Sequence, residues 1–237
     1  MLDAITASQF AMLQDQLKLQ TISQNVSNLQ TPGYKRQLIE SSGFDEQVQA
    51  QMATVSQQMT QSSQTIQGAL MSSGSPGELA LSGDGYFEVQ TDDGVFYTRR
   101  GDFHVNEMGE LVSSNGARLL GKSGPLRVDD NEFKINSSGE VLIDNHKVDQ
   151  LAVVHFSHPE QLSYQGQGLY FSLEAPTLAD STTRVIQGSL EQSNVKSIDE
   201  MMDMVKTSRH FESVQRVMRT ADSLMSTAIS QLGEGNV

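Results

Sequence analysis

The sequence predicts an α+β fold, in which long N- and C-terminal helices form a coiled-coil-like bundle and flank a central, mostly antiparallel β domain. Two observations support this prediction. Apolar heptads lie at both ends of the 237-residue chain, and 15 of its 19 glycines lie between residues 41 and 186. Heptads are typical of helices that pack together, whereas clustered glycines indicate turns. The predicted divisions are an N-terminal helix and turn (1–40), a Gln-rich arm (41–67), a central β domain (68–186) and a C-terminal helix (187–237).

The N-terminal helix is predicted over about residues 3–29. Asp3 is a suitable cap for its first turn, and Thr31-Pro32-Gly33 ends it, because proline blocks continuation and glycine tolerates a turn. One face carries apolar side chains at heptad spacing, which we expect to pack on another helix. These residues are Ile5, Met12, Leu19, Ile22, Val26 and Leu29.

The C-terminal helix is predicted to begin at a capping box formed by Ser197 and Glu200. It should end near Gly233, since glycine suits the position after a helix. Such a helix would extend ~54 Å at ~1.5 Å per residue. Its apolar face again follows a heptad, and the residues predicted to pack there are Met204, Phe211, Val214, Met218, Met225 and Leu232.

Two apolar faces at opposite ends of one chain fit either an intramolecular helical hairpin or a bundle between separate copies. Three methionines on the C-terminal face favour neighbours that differ from one another, because methionine repacks easily. In the Gln-rich arm, apolar residues recur at spacings of four, three and four. They are Val48, Met52, Val55 and Met59, so the arm is either a single-sided helix or a segment that orders on assembly.

The central region is predicted to form short strands. Tyr86–Gln90 and Val95–Thr98, joined by Asp92-Asp93-Gly94, predict a β-hairpin. An internal echo follows, in which residues 103–112 match residues 133–142. Each copy places Phe and Val or Ile on one strand face before Asn-x-x-Gly, which turns the chain. We expect a repeated hairpin here rather than a binding site.

Composition argues against several classes of function. The chain has no cysteine, which excludes disulfides, iron–sulfur clusters and thiolate zinc sites. Its net charge is −13 and no basic run exceeds Arg99-Arg100, so nucleic-acid binding is not expected. No stretch approaches the ~20 apolar residues of a membrane-spanning helix. The first residues lack the pattern of a cleaved signal peptide.

No catalytic, cofactor-binding or metal-binding site is predicted. His155 and His158 are close in sequence, but no third metal ligand accompanies them. Gly83-Asp84-Gly85 lacks the remaining residues of a phosphate loop. The pairs Asp92-Asp93 and Asp129-Asp130 lie in predicted turns without the spacing of a calcium loop. The sequence therefore does not predict an enzyme.

Three blocks resemble the rod and hook proteins of the bacterial flagellar basal body. Residues 25–36 are similar to the signature that closes the family's N-terminal helix, and residues 79–112 resemble the opening of its central β domain. Residues 187–212 are similar to its C-terminal signature. The N-terminal motif residues are Asn25, Asn28, Thr31, Pro32, Gly33 and Tyr34; the C-terminal ones are Gly188, Leu190, Glu191, Ser193, Asn194 and Val195.

The resemblance implies a structural subunit that polymerises through its terminal helices into the axial rod across the periplasm. Its partners would be itself, other rod subunits and the flagellar type III export apparatus, which would export it without a cleaved signal peptide. The β domain would face outward. No cofactor, nucleic acid or membrane insertion is implied.

The proximal rod protein is the favoured member of the family. Gly124–Val128, followed by Phe133–Ile135 and Gly139–Val141, looks more like the proximal than the distal rod protein. Gly77-Glu78 stands where distal members often show Pro-Leu-Asp. The alternatives are the distal rod or another axial protein of the hook and basal body and, outside the family, a self-contained coiled-coil adaptor that does not polymerise.

Overall fold

The computed structural model describes residues 2–41, 59–128, 133–179 and 182–234. Two compact units can be distinguished: a helical unit that contains both helices, and a β unit, Asn28–Val195, that contains the strands. The predicted α+β class is confirmed, since every strand pair within the described residues is antiparallel. Val48, Met52 and Val55 of the Gln-rich arm lie outside the described residues.

The helical unit is an antiparallel pair. Helix α1 spans Leu2–Ser27 and helix α2 spans Ser197–Glu234. Asn25 Nδ2 donates to Glu200 Oε2 at 3.2 Å, and Asp15 Oδ2 lies 2.7 Å from His210 Nδ1. Going from Asn25 back to Asp15 along α1 therefore corresponds to going forward from Glu200 to His210 along α2, and the two helices run in opposite directions.

Three predicted details of the helix ends were wrong. Helix α1 begins at Leu2, so Asp3 lies inside its first turn rather than at its cap. It ends at Ser27 rather than near Leu29, because the Thr31 N–H bonds to the Asn28 carbonyl and closes a turn. Gly233 lies within α2 rather than after it, since a single helical glycine costs only about 1 kcal/mol.

The β unit contains 19 short strands within the described residues. The first ten are β1 (Gln37–Ser41), β2 (Met59–Ser63), β3 (Leu70–Ser72), β4 (Leu79–Ser82), β5 (Tyr86–Thr91), β6 (Gly94–Thr98), β7 (Phe103–Val105), β8 (Leu111–Ser113), β9 (Arg118–Gly121) and β10 (Gly124–Pro125). The others are β11 (Phe133–Ile135), β12 (Glu140–Ile143), β13 (His146–Gln150), β14 (Val153–His155), β15 (Ser163–Gly166), β16 (Leu169–Phe171), β17 (Thr177–Leu178), β18 (Arg184–Gln187) and β19 (Ser189–Glu191). A short 3₁₀ helix spans Pro159–Gln161.

The largest sheet has the strand order β15-β16-β6-β5-β9-β8-β7, with β10 beside β9 and the β14–β17 pair beside β5. A three-stranded sheet contains β11-β12-β13, and three pairs, β1–β2, β4–β18 and β3–β19, complete the unit. Residues of β4, β5, β8, β9, β12 and β18 share one apolar core. A second cluster is aromatic and includes Tyr86, Tyr97, Phe156 and Tyr170.

The predicted hairpin and the internal echo are both confirmed. Strands β5 and β6 pair up to Thr91 and Gly94 across the turn. In the echo, the side-chain Oδ1 of Asn106 accepts the N–H groups of Met108 and Glu110, and that of Asn136 accepts those of Ser138 and Glu140. Gly109 and Gly139 adopt φ of 74° and 77°. The two copies are thus the same turn, built twice.

The alternative of a helix in the Gln-rich arm was wrong for Met59, the last residue of its apolar spacing. Met59 opens strand β2 and pairs with Ser41 of β1, a strand that the sequence did not predict. Side chains support this pairing, because Gln37 Nε2 donates to Ser63 Oγ at 2.9 Å and both residues are buried. A cross-strand partner has therefore decided the conformation that the weak apolar spacing left open.

Candidate functional site

The two predicted motifs meet in the β unit. Gly33 N donates to the Glu191 carbonyl at 2.7 Å, and Asn194 N donates to the Tyr34 carbonyl at 3.3 Å. We call residues 33–36, residues 191–194 and Arg99 the motif junction. In the sequence, residues 33–36 lie a few positions after the end of α1, and residues 191–194 lie a few positions before the start of α2.

A buried ion network lies at the centre of the motif junction. Lys35 Nζ is 2.6 Å from Glu191 Oε1, and Arg99 Nη1 is 3.4 Å from Glu191 Oε2. The side chains of Lys35 and Glu191 are each only 1% exposed. The carboxylate also accepts the Gly68 N–H at 2.9 Å, and Lys35 Nζ donates to the Ile66 carbonyl at 3.0 Å. The Glu191 carboxylate thus binds two cationic side chains and also the backbone at Gly68.

The electrostatics of the network follow from burial. Burial lowers the pKa of Lys35 below its usual 10.5, and the nearby Glu191 carboxylate opposes that shift. Arg99 Cζ lies 5.6 Å from the ring centre of Tyr86, and Arg99 Nη2 donates to the Gly83 carbonyl at 2.6 Å. Burial raises the pKa of Tyr86 to about 12.

Asn194 ties the same segments together through its side chain. Its Oδ1 accepts the Arg36 N–H at 2.7 Å, and its Nδ2 donates to the carbonyls of Gln64 and Ile66 at 3.1 and 2.9 Å. Three of the four hydrogen bonds available to an amide side chain are therefore used. Neighbouring Ser193 Oγ accepts the N–H of Val195, a buried residue, at 3.3 Å.

Glycine is required where backbones touch. Gly33 has φ +65°, and a Cβ there would lie 2.2 Å from the Arg99 carbonyl oxygen. A Cβ on Gly68 would lie 1.9 Å from the Gln192 carbonyl oxygen. No larger residue fits either contact without moving the chain. Gly188 has φ +70°, and its N–H donates to the Glu78 carbonyl at 2.7 Å.

The remaining motif residues are placed as follows. Tyr34 is fully buried and meets Tyr164 edge to face, with ring centres 5.8 Å apart. Thr31 Oγ1 donates to Asn28 Oδ1 at 3.0 Å in the turn after α1. Asn25 belongs to the helical unit, where its bond partner Glu200 is fully buried. Pro32 and Leu190 line a cavity of about 450 Å³.

The predicted packing residues of α1 and α2 are mostly half-buried. Ile22 is buried, whereas Ile5, Met12, Leu19 and Val26 of α1 keep part of their surface. The same holds on α2 for Met204, Phe211, Val214, Met218 and Met225. Leu29 lies beyond the end of α1, and the side chain of Leu232 is outside the described residues.

Sequence reasoning missed the ion network. Lys35 and Glu191 are separated by 156 positions, so no local pattern could pair them. The available signals were a lysine inside the first motif, a glutamate inside the third and the Arg99-Arg100 pair in the second. Within the described residues, no group of three His, Asp or Glu side chains could hold a metal ion, and no described helix is apolar enough over its length to cross a membrane.

Comparison with known proteins gives a consistent result. Residues 80–143 match the family model "Flagellar hook protein FlgE/F/G D1 domain", and residues 186–232 match "Flagellar basal body rod FlgEFG protein C-terminal". The chain is 31% identical to the flagellar basal-body rod protein FlgG of Bacillus subtilis strain 168, over 91% of this chain and 93% of the relative. It is 28% identical to the rod protein FlgF of Mesorhizobium japonicum, over 98% of this chain and 99% of the relative.

Proposed function

Because the chain belongs to the flagellar basal-body rod protein family, we propose that it polymerises through its terminal helices into the axial drive-shaft across the periplasm. Members of this family are structural rod proteins rather than enzymes, and the chain is a structural subunit of the basal body that assembles with other flagellar axial subunits. The mode of polymerisation is the proposed part.

The observation that carries the proposal is the apolar surface that the helix pair leaves exposed. Six large apolar side chains of α2 are more than half exposed: Ile198, Met201, Met202, Val205, Val217 and Leu224. The half-buried heptad residues lie on the same helix. Ile198, Met201, Met202 and Val205 have the spacing of one helix face, and an exposed apolar patch of this kind marks a protein interaction site. We propose that neighbouring subunits cover the exposed apolar side chains and the half-buried heptad residues of α2. This contact would complete a coiled-coil-like bundle that one chain cannot complete alone.

The unequal lengths of the helices add support. Asp15 lies level with His210 and Asn25 with Glu200, so a residue n of α1 lies level with residue 225 − n of α2. Leu2 is then level with about residue 223, and the last turns of α2 extend beyond α1 by roughly 16 Å at ~1.5 Å per residue. A neighbouring subunit is the natural cover for this extension.

We propose the proximal rod as the position of the subunit. The support is the likeness of Gly124–Val128 and the following hairpin to the proximal rod protein. Leu126 and Val128 in this segment are fully buried and belong to the core of the β unit. We also propose export by the flagellar type III apparatus without a cleaved signal peptide, and a division of the chain into the four segments predicted above.

The test is a charge placed on the exposed face of α2. Val217→Asp places a charge where a neighbour would bury an apolar side chain. Burying that side chain contributes about 1.5–3 kcal/mol, so its loss should raise the critical concentration for assembly at least tenfold. Ser213→Asp, on the same helix and also exposed, is the matched control and should assemble normally. Sedimentation of full-length chain and the helical circular dichroism of each variant are the measurements.

Assembly of Val217→Asp at the unaltered concentration would refute the role of this face. A chain that remains monomeric at every concentration would instead favour the coiled-coil adaptor. Electron microscopy of basal bodies that carry a labelled subunit locates it in the rod, and label at the distal end would replace the proximal assignment by the distal one.

A further inference from the structure

One cavity of the β unit combines an apolar floor with a cationic rim. It has a volume of about 330 Å³, and its floor includes the buried side chains of Leu151 and Val185. Lys122 and Arg184 stand at its rim, and Ser137 and Ala179 also line it. This volume is at the lower end of the range for ligand pockets, with room for about one or two side chains. We call it the rim pocket.

The cations of the rim pocket are unusual for this chain. Residues 41–186 carry 19 acidic and only eight basic side chains. Five of the eight bases form ion pairs: Arg99, Arg100, Arg118, Arg127 and Lys147. Lys122, Lys134 and Arg184 make no ion pair or side-chain hydrogen bond with the described residues, and two of these three, Lys122 and Arg184, lie at the same cavity. Two cations that have no ion pair among the described residues, beside an apolar floor, favour an occupant with a carboxylate next to an apolar side chain.

The chain presents such a group in the loop between β16 and β17. Leu173 is 96% exposed, the highest value among the large apolar side chains of the described residues, and the next residue is the exposed Glu174. Ser172 fixes this loop, because its hydroxyl donates to the Glu174 carbonyl and accepts the Glu174 N–H, both at 3.0 Å. Glu174 forms no ion pair with the described residues. The loop therefore presents a leucine and a free carboxylate in a set conformation.

From this complementarity we infer that the rim pocket binds the Leu173–Glu174 loop of a second copy of this chain. Leucine would cover the apolar floor, and the carboxylate would pair with Lys122 and Arg184. Leu173 and Glu174 are not among the residues that line the pocket, so the contact is head to tail and repeats without limit unless it closes into a ring. The inference rests on the proposed polymerisation and adds to it a contact made by the β unit.

The absence of cysteine allows a crosslinking test without background. Differently tagged full-length chains carrying Leu173→Cys or Ala179→Cys are mixed, concentrated and oxidised. We expect a mixed disulfide dimer. The matched control replaces Leu173→Cys by Met108→Cys, since Met108 is 75% exposed and, like Leu173, is adjacent to a glutamate. Little crosslink is expected from the control, and an equal yield would overturn the inference.

A charge exchange provides the second readout. Glu174→Lys should weaken self-association of the full chain by at least tenfold, and Glu174→Lys with Arg184→Glu should recover most of that loss. Two results together would overturn the contact between the loop and the rim pocket but not the helical proposal: unchanged assembly of Glu174→Lys, and no crosslink between Leu173→Cys and Ala179→Cys chains. Assembly that is unchanged in Val217→Asp overturns the helical proposal alone, and a wild-type chain that never self-associates overturns both.

Discussion

Neutralising the buried carboxylate of the motif junction should destabilise the β unit severely. Glu191→Gln keeps the shape of the side chain and an oxygen for the Gly68 N–H, but it removes the charge that compensates Lys35 and Arg99. Two cations would then be buried without an anion in contact. Lys35→Met is the comparison, because Glu191 would still hold Arg99 and the Gly68 N–H.

The expected size of the effect follows from burial. Removing one member of a fully buried ion pair costs about 3–5 kcal/mol, since the remaining charge has lost its water without compensation. Losing a single hydrogen-bonded partner costs about 1–3 kcal/mol. We therefore expect Glu191→Gln to lower the free energy of unfolding by about 3–5 kcal/mol and Lys35→Met by less. With ~2–3 kcal/mol per M of urea, the larger loss moves the midpoint by at least about 1 M.

The tyrosines provide a selective assay. All five lie in the β unit, and the chain has no tryptophan, so the tyrosine band of the near-ultraviolet circular dichroism, followed during urea unfolding at pH 7, reports on this unit. Glu107→Gln removes an exposed glutamate and should change stability by less than about 0.5 kcal/mol. A Glu191→Gln midpoint equal to that of Glu107→Gln, or a larger loss in Lys35→Met, would refute the reasoning.

Three further outcomes can be measured in the same way. Gly33→Ala should unfold at a markedly lower urea concentration than Gly116→Ala. Both positions have positive φ, but only a Cβ at Gly33 would collide with backbone atoms; equal midpoints would show that the Arg99 backbone moves away at little cost. Asn136→Ala should cost about 1–3 kcal/mol, at about 0.5–1.5 kcal/mol for each hydrogen bond, because the N–H groups of Ser138 and Glu140 lose their acceptor; an unchanged midpoint would contradict the role of the turn. Because burial raises the pKa of Tyr86 from 10 to about 12, ionisation of this group favours the unfolded chain. Its effect on the free energy of unfolding should be absent below pH 10, and the free energy should fall as the pH rises towards 12. Native-state titration of all five tyrosines near pH 10 would contradict this expectation.

The parts of the fold that the sequence predicted are those with local causes. A heptad, an Asp-Asp-Gly turn and a repeated Asn-x-x-Gly are each written within a few residues. The helices, the β5–β6 hairpin and the two matching turns were predicted for that reason. The helix ends were less accurate, because a turn such as that between Asn28 and Thr31 competes with one more residue of helix.

Contacts between distant segments could not be predicted. Strand β2 depends on β1, and the motif junction joins Lys35, Arg99 and Glu191, whose spacing carries no periodic signal. The resemblance marked the right segments without showing that they touch. Lys35 was part of a recognised signature, yet its burial and its partner are consequences of tertiary structure alone.

The 156-residue separation between Lys35 and Glu191 also has a kinetic consequence. The entropy cost of closing so long a loop is met before the ion pair can stabilise the chain. A chain with such non-local contacts therefore folds slowly. If the export route proposed above carries the chain unfolded, delayed folding would lengthen the time during which the new chain can still be exported.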